Sequence, residues 1–161
     1  MARTAVALVA IALMLGFAIG SAYTQPPDWN KGTTDEKIKR LSDLQPGLGT
    51  VMADYGTRFT NAYYAAKGGN FELAAYMIKE MKESQEIAET TRPARAPALK
   101  AFESNYLDKL DAAAKAKDWS QYQTLTPRVI NACNQCHAKV QMAYIVYQLP
   151  AEPEAPLKMS K

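Results

Sequence analysis

The residues between Asp35 and Gln148 constrain the fold most, because their apolar side chains recur at the three- and four-residue spacing of a helix face. This stretch is rich in Ala, Lys, Glu, Met and Leu, and it lacks the alternation of apolar and polar residues that a strand needs. Apolar residues make up 48% of the 161-residue chain, a balance and a length that suit one packed domain. The sequence therefore predicts an all-α fold, arranged as an antiparallel four-helix bundle.

Local signals set the bounds of these helices. Asn70 is a natural N-cap for the second helix, and Asp118 can cap a short turn at 119–122. Pro127 would then stand at the first position of the last helix, where proline is permitted. The four predicted helices are 46–67, 71–91, 98–117 and 126–148, with a preceding turn of helix at 35–44.

The two ends of the chain differ from this helical stretch. Residues 1–22 begin with Arg3, continue as an apolar run and finish with small residues, which is the layout of a cleaved secretory signal peptide. A retained membrane anchor is the alternative interpretation. Residues 23–34 are interpreted as a flexible leader and 150–161 as a Pro-rich tail, so the domain is expected to cover 35–149. A cleaved signal implies a periplasmic protein that keeps no stable membrane span.

Charge and the scarcity of ligating residues exclude several classes of function. The net charge is +3 and no basic block accompanies it, which argues against nucleic-acid binding. One histidine and two cysteines are too few for a four-ligand zinc site or a bis-histidine haem. A single histidine also leaves no nucleophile–base pair, and no phosphate-binding glycine loop is present. We therefore do not expect this chain to be an enzyme on its own.

The two cysteines and the histidine all lie in one motif, because residues 133–137 read Cys-Asn-Gln-Cys-His. This C-x-x-C-H pattern is typical of c-type haem attachment. On a helix, Cys133 and Cys136 share a face, so both sulfurs can reach the vinyl groups of one porphyrin, and His137 follows on that face as the proximal ligand. A disulfide within this spacing would be strained on a helix, and a thioredoxin-type pair normally follows a strand. We predict one haem c, attached through two thioethers.

A helical, exported chain with its single C-x-x-C-H on the last helix resembles the class II c-type cytochromes, the cytochrome c-prime family. The resemblance covers residues 35–148, and the pentad is its specific part. It implies that Cys133 and Cys136 are the attachment cysteines and that His137 is the proximal iron ligand.

The chain departs from that family at one position near the motif. Many members carry a basic residue four places after the histidine, where this chain has Gln141. Lys139 and Arg128 are the alternative partners for haem propionates. Four tyrosines could also bind propionates or line the pocket, although helix packing is the commoner role of such residues: Tyr55, Tyr63, Tyr144 and Tyr147.

The resemblance implies that the residue opposite the histidine comes from the first bundle helix, as a methionine ligand or a non-coordinating side chain. Met52 is the only methionine there and is the candidate sixth ligand, with ordinary core packing as the alternative. Met142 follows the histidine on the same predicted helix and cannot reach the opposite haem face. Met159 would need the tail to fold back, and Met77 and Met81 are expected in the core.

These expectations favour a small one-electron carrier whose iron cycles between Fe(III) and Fe(II). The resemblance implies redox partner proteins and allows a homodimer. If Met52 does not bind iron, the alternative is a five-coordinate haem protein that binds NO or CO. A further alternative is the haem subunit of a larger oxidoreductase.

Overall fold

Six α-helices account for most of the residues that the computed structural model describes, which are 28, 30–153 and 156–160. Over these residues there is no strand, only one isolated bridge between Gly69 and Ser160. The predicted all-α class is confirmed.

The described residues divide into two units, one that ends at Leu44 and one that begins at Gln45. The signal peptide predicted at 1–22 and most of the predicted leader lie outside the described residues. In the described part of the chain, no helix is long and apolar enough to cross a membrane.

The first unit contains helix α1 (Thr34–Asp43). Its start is fixed by a capping box, in which the Thr33 hydroxyl accepts from the Glu36 N–H and the Glu36 carboxylate accepts from the Thr33 N–H. The helix exposes two large apolar side chains, Ile38 and Leu41, and its C-cap Leu44 is exposed as well.

The second unit begins with the helix pair α2 (Leu48–Lys67) and α3 (Phe71–Thr91). Gly69 adopts a left-handed φ of 80°, and the Asn70 N–H bonds to the Ala65 carbonyl, so α2 ends in a Schellman turn. The Asn70 side chain then accepts from the Leu73 N–H at 3.2 Å, which confirms the predicted cap. Both helices agree with their predicted bounds.

The third bundle helix is interrupted. After a short 3-10 turn (Pro93–Arg95), it consists of α4 (Ala96–Phe102), a π-helical turn (Glu103–Leu107) and α5 (Asp108–Lys115). In the π turn the Asp108 N–H reaches back five residues to the Glu103 carbonyl. The sequence predicted one regular helix over 98–117, and it gave no sign of this insertion.

Helix α6 (Trp119–Lys139) differs from its prediction at both ends. Asp118 does cap it, accepting from the Gln121 N–H at 2.9 Å, but the helix continues through Pro127 instead of restarting there. The flanking Thr126 and Val129 are buried in the bundle, and this packing offsets the hydrogen bond that proline cannot donate. The predicted break before Pro127 is wrong.

The predicted end of this helix at 148 is also wrong. Gln141 adopts a left-handed φ of 64°, the Gln141 N–H bonds to the Ala138 carbonyl, and the Met142 N–H bonds to the His137 carbonyl. These two bonds form a Schellman turn on a residue that is not glycine. The chain therefore reverses eight or more residues earlier than its composition indicated, and the residues from Val140 onward form the tail.

The helices of the second unit pack in a ring, α2 on α3, α3 on α5, α5 on α6 and α6 on α2. Side-chain contacts show the antiparallel order of α2 and α3, because Tyr55 contacts Gln85 and Arg58 contacts Glu80. The predicted four-helix bundle is confirmed. Its main core includes Tyr55, Phe59, Ile78, Met81, Leu107, Leu110, Tyr122 and Val129, and a smaller apolar cluster comprises Val51, Ala88 and Leu99.

Candidate haem-attachment site

Cys133 and Cys136 lie on the last turns of α6, one helical turn apart, and both are free thiols. Cys133 packs against the main core and is partly buried. Burial, together with a smaller electrostatic contribution from the neighbouring Cys136, raises the pKa of the Cys133 thiol to about 12. Both sulfurs lie on one helix at the spacing that a two-thioether attachment requires.

The His137 side chain is held by the tail. Its Nδ1 lies 2.8 Å from the carbonyl oxygen of Ile145. A carbonyl can only accept a hydrogen bond, so Nδ1 carries the proton in this contact. The lone pair of the neutral ring is then on Nε2, which is the form that binds a metal.

A second contact joins the tail to α6 within the pentad itself. The Asn134 side chain donates from Nδ2 to the Tyr147 carbonyl at 3.0 Å and accepts the Tyr147 N–H at 2.8 Å. These two hydrogen bonds satisfy both the N–H and the carbonyl of Tyr147. The spacer residue Asn134 therefore has a structural partner that the sequence did not indicate.

Tyr147 also connects the tail to α2. Its hydroxyl lies 2.8 Å from Thr60 Oγ1 and 3.3 Å from the Gly56 carbonyl oxygen, and its ring meets Phe59 edge-on with centroids 5.7 Å apart. A Cβ atom at Gly56 would be 3.3 Å from the tyrosine ring, so this position favours glycine. The tail thus contacts both α6 and α2 beside the pentad.

Met52 lies on α2, far in sequence from the two cysteines and the histidine of the pentad. Tyr63 packs against Trp119, near the start of α6, and Tyr55 lies close enough to Cys133, near its end, to interact with it electrostatically, so α2 and α6 run antiparallel. Met52 is one turn before Tyr55, toward the end of the bundle where α6 carries its last residues. It is half-buried and packs against both apolar clusters, so core packing by itself accounts for its position.

The other methionines agree with their predicted places only in part, because Met142, expected on the last helix, lies beyond the end of α6. Met77 and Met81 are buried in the core, and Met142 is exposed in the tail. The tail does fold back, but it carries Met159 to Gly68, where a Cβ atom would be 2.6 Å from the Met159 carbonyl oxygen. Gly68 is sixteen residues beyond Met52, about 24 Å along the helix axis. Met159 therefore lies at the opposite end of α2.

Among the tyrosines and the propionate candidates, Gln141, Tyr144 and Tyr147 lie beyond the end of α6, and the others lie on the helices where they were expected. Tyr144 and Tyr147 were expected on the last helix and lie in the tail, and Tyr144 is 80% exposed. Tyr63 packs against Trp119. Gln141, at the position where the family carries a basic residue, is the left-handed residue beyond the end of α6. Lys139, the last residue of α6, and Arg128 are both exposed.

Sequence reasoning missed a buried polar network next to Cys133. Tyr55 donates to Gln85 Oε1 at 3.2 Å, and Gln85 Nε2 donates to Glu89 and to Glu103, each at 2.9 Å. Burial, with a smaller contribution from Cys133, raises the pKa of Tyr55 well above its usual value. Burial likewise raises the pKa of Glu103. Glu103 is the first residue of the π-helical turn, a feature found frequently at functional sites.

The donor set fits a covalently attached haem better than a free metal ion. Among the described residues there is no cluster of three or more His, Cys, Asp and Glu side chains that could hold a metal. Two thiols one turn apart would form the thioethers, and the following imidazole, whose Nδ1 is already bonded, would bind the iron through Nε2.

No protein-family model, no curated protein and no solved structure matches this chain. The resemblance to the class II c-type cytochromes therefore rests on the pentad and on the helical bundle.

Proposed function

We propose that this chain is an exported c-type cytochrome with one haem c and that it acts as a one-electron carrier. The observation that carries the proposal is the 2.8 Å contact between His137 Nδ1 and the Ile145 carbonyl oxygen, because a proton on Nδ1 leaves the Nε2 lone pair for iron. Cys133 and Cys136, on the same helix, would form the two thioethers. When bound, the haem would supply an iron that cycles between Fe(III) and Fe(II).

The protein would contribute orientation, covalent attachment and an apolar surrounding. The tail holds the His137 ring from the side of Nδ1, and α2 faces α6 with Met52 and Tyr55. Apolar burial excludes water and disfavours the more charged ferric form, which raises a reduction potential. A periplasmic location follows from the predicted signal peptide and is part of the proposal.

Covalent haem is the direct test. The full-length chain, expressed in a bacterium with c-type cytochrome maturation, should keep its haem colour after denaturation and gel separation, and its mass should increase by one haem. The Cys133→Ala, Cys136→Ala double variant is the matched control and should lose both signals. A wild-type chain that matures without covalent haem, or with Cys133 and Cys136 joined as a disulfide, contradicts the proposal.

A second candidate is a five-coordinate haem protein that binds NO or CO, and the packing of Met52 favours it. Met52 contacts both apolar clusters, and this packing explains its burial without an iron bond. Mixing the reduced protein with CO separates the two functions. Rapid binding at low CO concentration supports the gas-binding protein, and absence of binding supports the six-coordinate carrier.

A further inference from the structure

The chain reversal at Gln141 places residues 141–150, here called the strap, alongside the end of α6. The left-handed φ of Gln141 and the two Schellman hydrogen bonds turn the strap back immediately after the pentad. The Ile145 carbonyl is thereby brought to His137 Nδ1, eight residues away in sequence. The main-chain path of the strap, rather than a side chain, supplies the partner of the histidine.

Asn134 fixes that path from the α6 side. Its carboxamide makes a two-way hydrogen bond with the main chain of Tyr147, two residues after Ile145. Asn134 lies three residues before His137 on the same helix, so the histidine and the strap share one rigid support. A shift of the strap would have to break both of these bonds.

The strap is also fixed from the α2 side. The Tyr147 hydroxyl bonds to Thr60, and the Tyr64 hydroxyl donates to the Pro150 carbonyl at 2.7 Å. The Tyr147 ring fills the space that the absence of a side chain at Gly56 leaves on α2. Contacts on two different helices therefore hold the strap after Ile145, and the main-chain bonds of Gln141 and Met142 fix it before Ile145.

We propose that Asn134 and Tyr147 are positioning residues for His137, which would bind the haem iron, and that they act through the Ile145 carbonyl. The inference rests on the proposed function, because it concerns how His137 would bind iron. A hydrogen bond from Nδ1–H to a carbonyl fixes the ring and makes Nε2 a stronger electron donor. A stronger donor stabilises ferric iron, so an intact strap lowers the reduction potential.

The Asn134→Ala variant of the haem-loaded protein tests this role. We expect the His137 Nδ1 proton, observed by NMR, to exchange with solvent about tenfold faster, because its acceptor is no longer held. The ferric-to-ferrous equilibrium should shift about tenfold toward the ferrous form, which is about 59 mV for a one-electron couple. Gln135→Ala is the matched control, since Gln135 is exposed and also lies between the two cysteines.

A second variant keeps the test decisive if Asn134→Ala fails to mature. Tyr147→Phe removes only the hydroxyl that contacts Thr60 and Gly56, and it should change exchange and potential in the same direction by a smaller factor. Tyr144→Phe in the same strap is its control, because Tyr144 is 80% exposed. Haem-loaded variants with unchanged exchange and potential overturn the positioning role alone. A wild-type chain without covalent haem overturns the proposed function as well.

Discussion

Replacing Gln85 by alanine should destabilise the bundle more than any exposed substitution, and the cost should depend on pH. Gln85 is fully buried, accepts from Tyr55 and donates to Glu89 and Glu103. Loss of its carboxamide leaves the Tyr55 hydroxyl without this acceptor, which costs about 1–3 kcal/mol. Two bonds to carboxylates are lost as well, and partial solvent access reduces their contribution to about 1 kcal/mol each. The expected loss in the free energy of unfolding at neutral pH is about 3–5 kcal/mol.

The pH dependence follows from Glu103. Burial raises its pKa in the folded chain, so the folded state keeps this proton to a higher pH than the unfolded state does. The resulting stabilisation is fully present below the pKa that Glu103 has in the unfolded chain. It is lost as the pH rises through the pKa that Glu103 has in the folded chain. Gln85 Nε2 donates to the charged form of Glu103, so without this donor the pKa of Glu103 in the folded chain should rise further. The loss in the free energy of unfolding caused by Gln85→Ala should therefore be about 1 kcal/mol smaller at about pH 4 than at neutral pH.

Urea denaturation followed by far-UV circular dichroism measures both costs. Gln123→Ala on the exposed face of α6 is the control and should change the free energy of unfolding by no more than about 0.5 kcal/mol. Adding Tyr55→Phe to the Gln85→Ala variant should cost less than Tyr55→Phe in the wild type, because the orphaned hydroxyl is removed. A cost for Gln85→Ala that is equal at the two pH values, or no larger than the control, would refute this reasoning.

Three further predictions address the distal methionine, the tail and the proline in α6. In haem-loaded protein, Met52→Ala should abolish the near-red charge-transfer band of a methionine–iron bond, and an unchanged spectrum would remove Met52 from the site. Gly68→Ala would bring a Cβ atom to 2.6 Å from the Met159 carbonyl oxygen, so the tail end should lose protection in limited proteolysis, with a stability loss of about 1 kcal/mol. Pro127→Ala restores a helix-interior N–H and should increase the free energy of unfolding by about 1 kcal/mol or more; a decrease in thermal or urea stability would show that the ring packs favourably.

The parts of the fold that sequence predicted correctly depend on local signals. Asn70 and Asp118 each cap a helix through a bond to an N–H three residues later, so a short window of sequence contains the whole interaction. The end of α6 depends instead on Gln141 in a left-handed conformation, which non-glycine residues rarely adopt. No composition rule distinguishes this glutamine from one that continues a helix.

The candidate site likewise combines a local motif, which a sequence can show, with contacts between distant segments, which it cannot. The pentad is contiguous, so the spacing of its two cysteines and its histidine is visible in the sequence alone. The contact between Thr60 and Tyr147 joins residues 87 positions apart, and the bond from His137 to Ile145 requires the reversal at Gln141. The tail was expected only as a Pro-rich end that cannot continue a helix, and its backbone pairs with the residues after α2 through Gly69 and Ser160. Packing between distant segments, rather than local propensity, determines this part of the site.

The position of the strap after the pentad in the chain has a consequence for biogenesis. A polypeptide that is exported from its N-terminus presents Cys133 before Ile145 and Tyr147 have emerged. In the folded protein the Cys133 side chain packs against the main core, so it is most accessible during that interval. We expect haem attachment to precede closure of the strap, and haem found on chains in transit whose tails are still open to protease would demonstrate this order. The chain would then gain the orienting contact of its histidine only as the last residues fold into place.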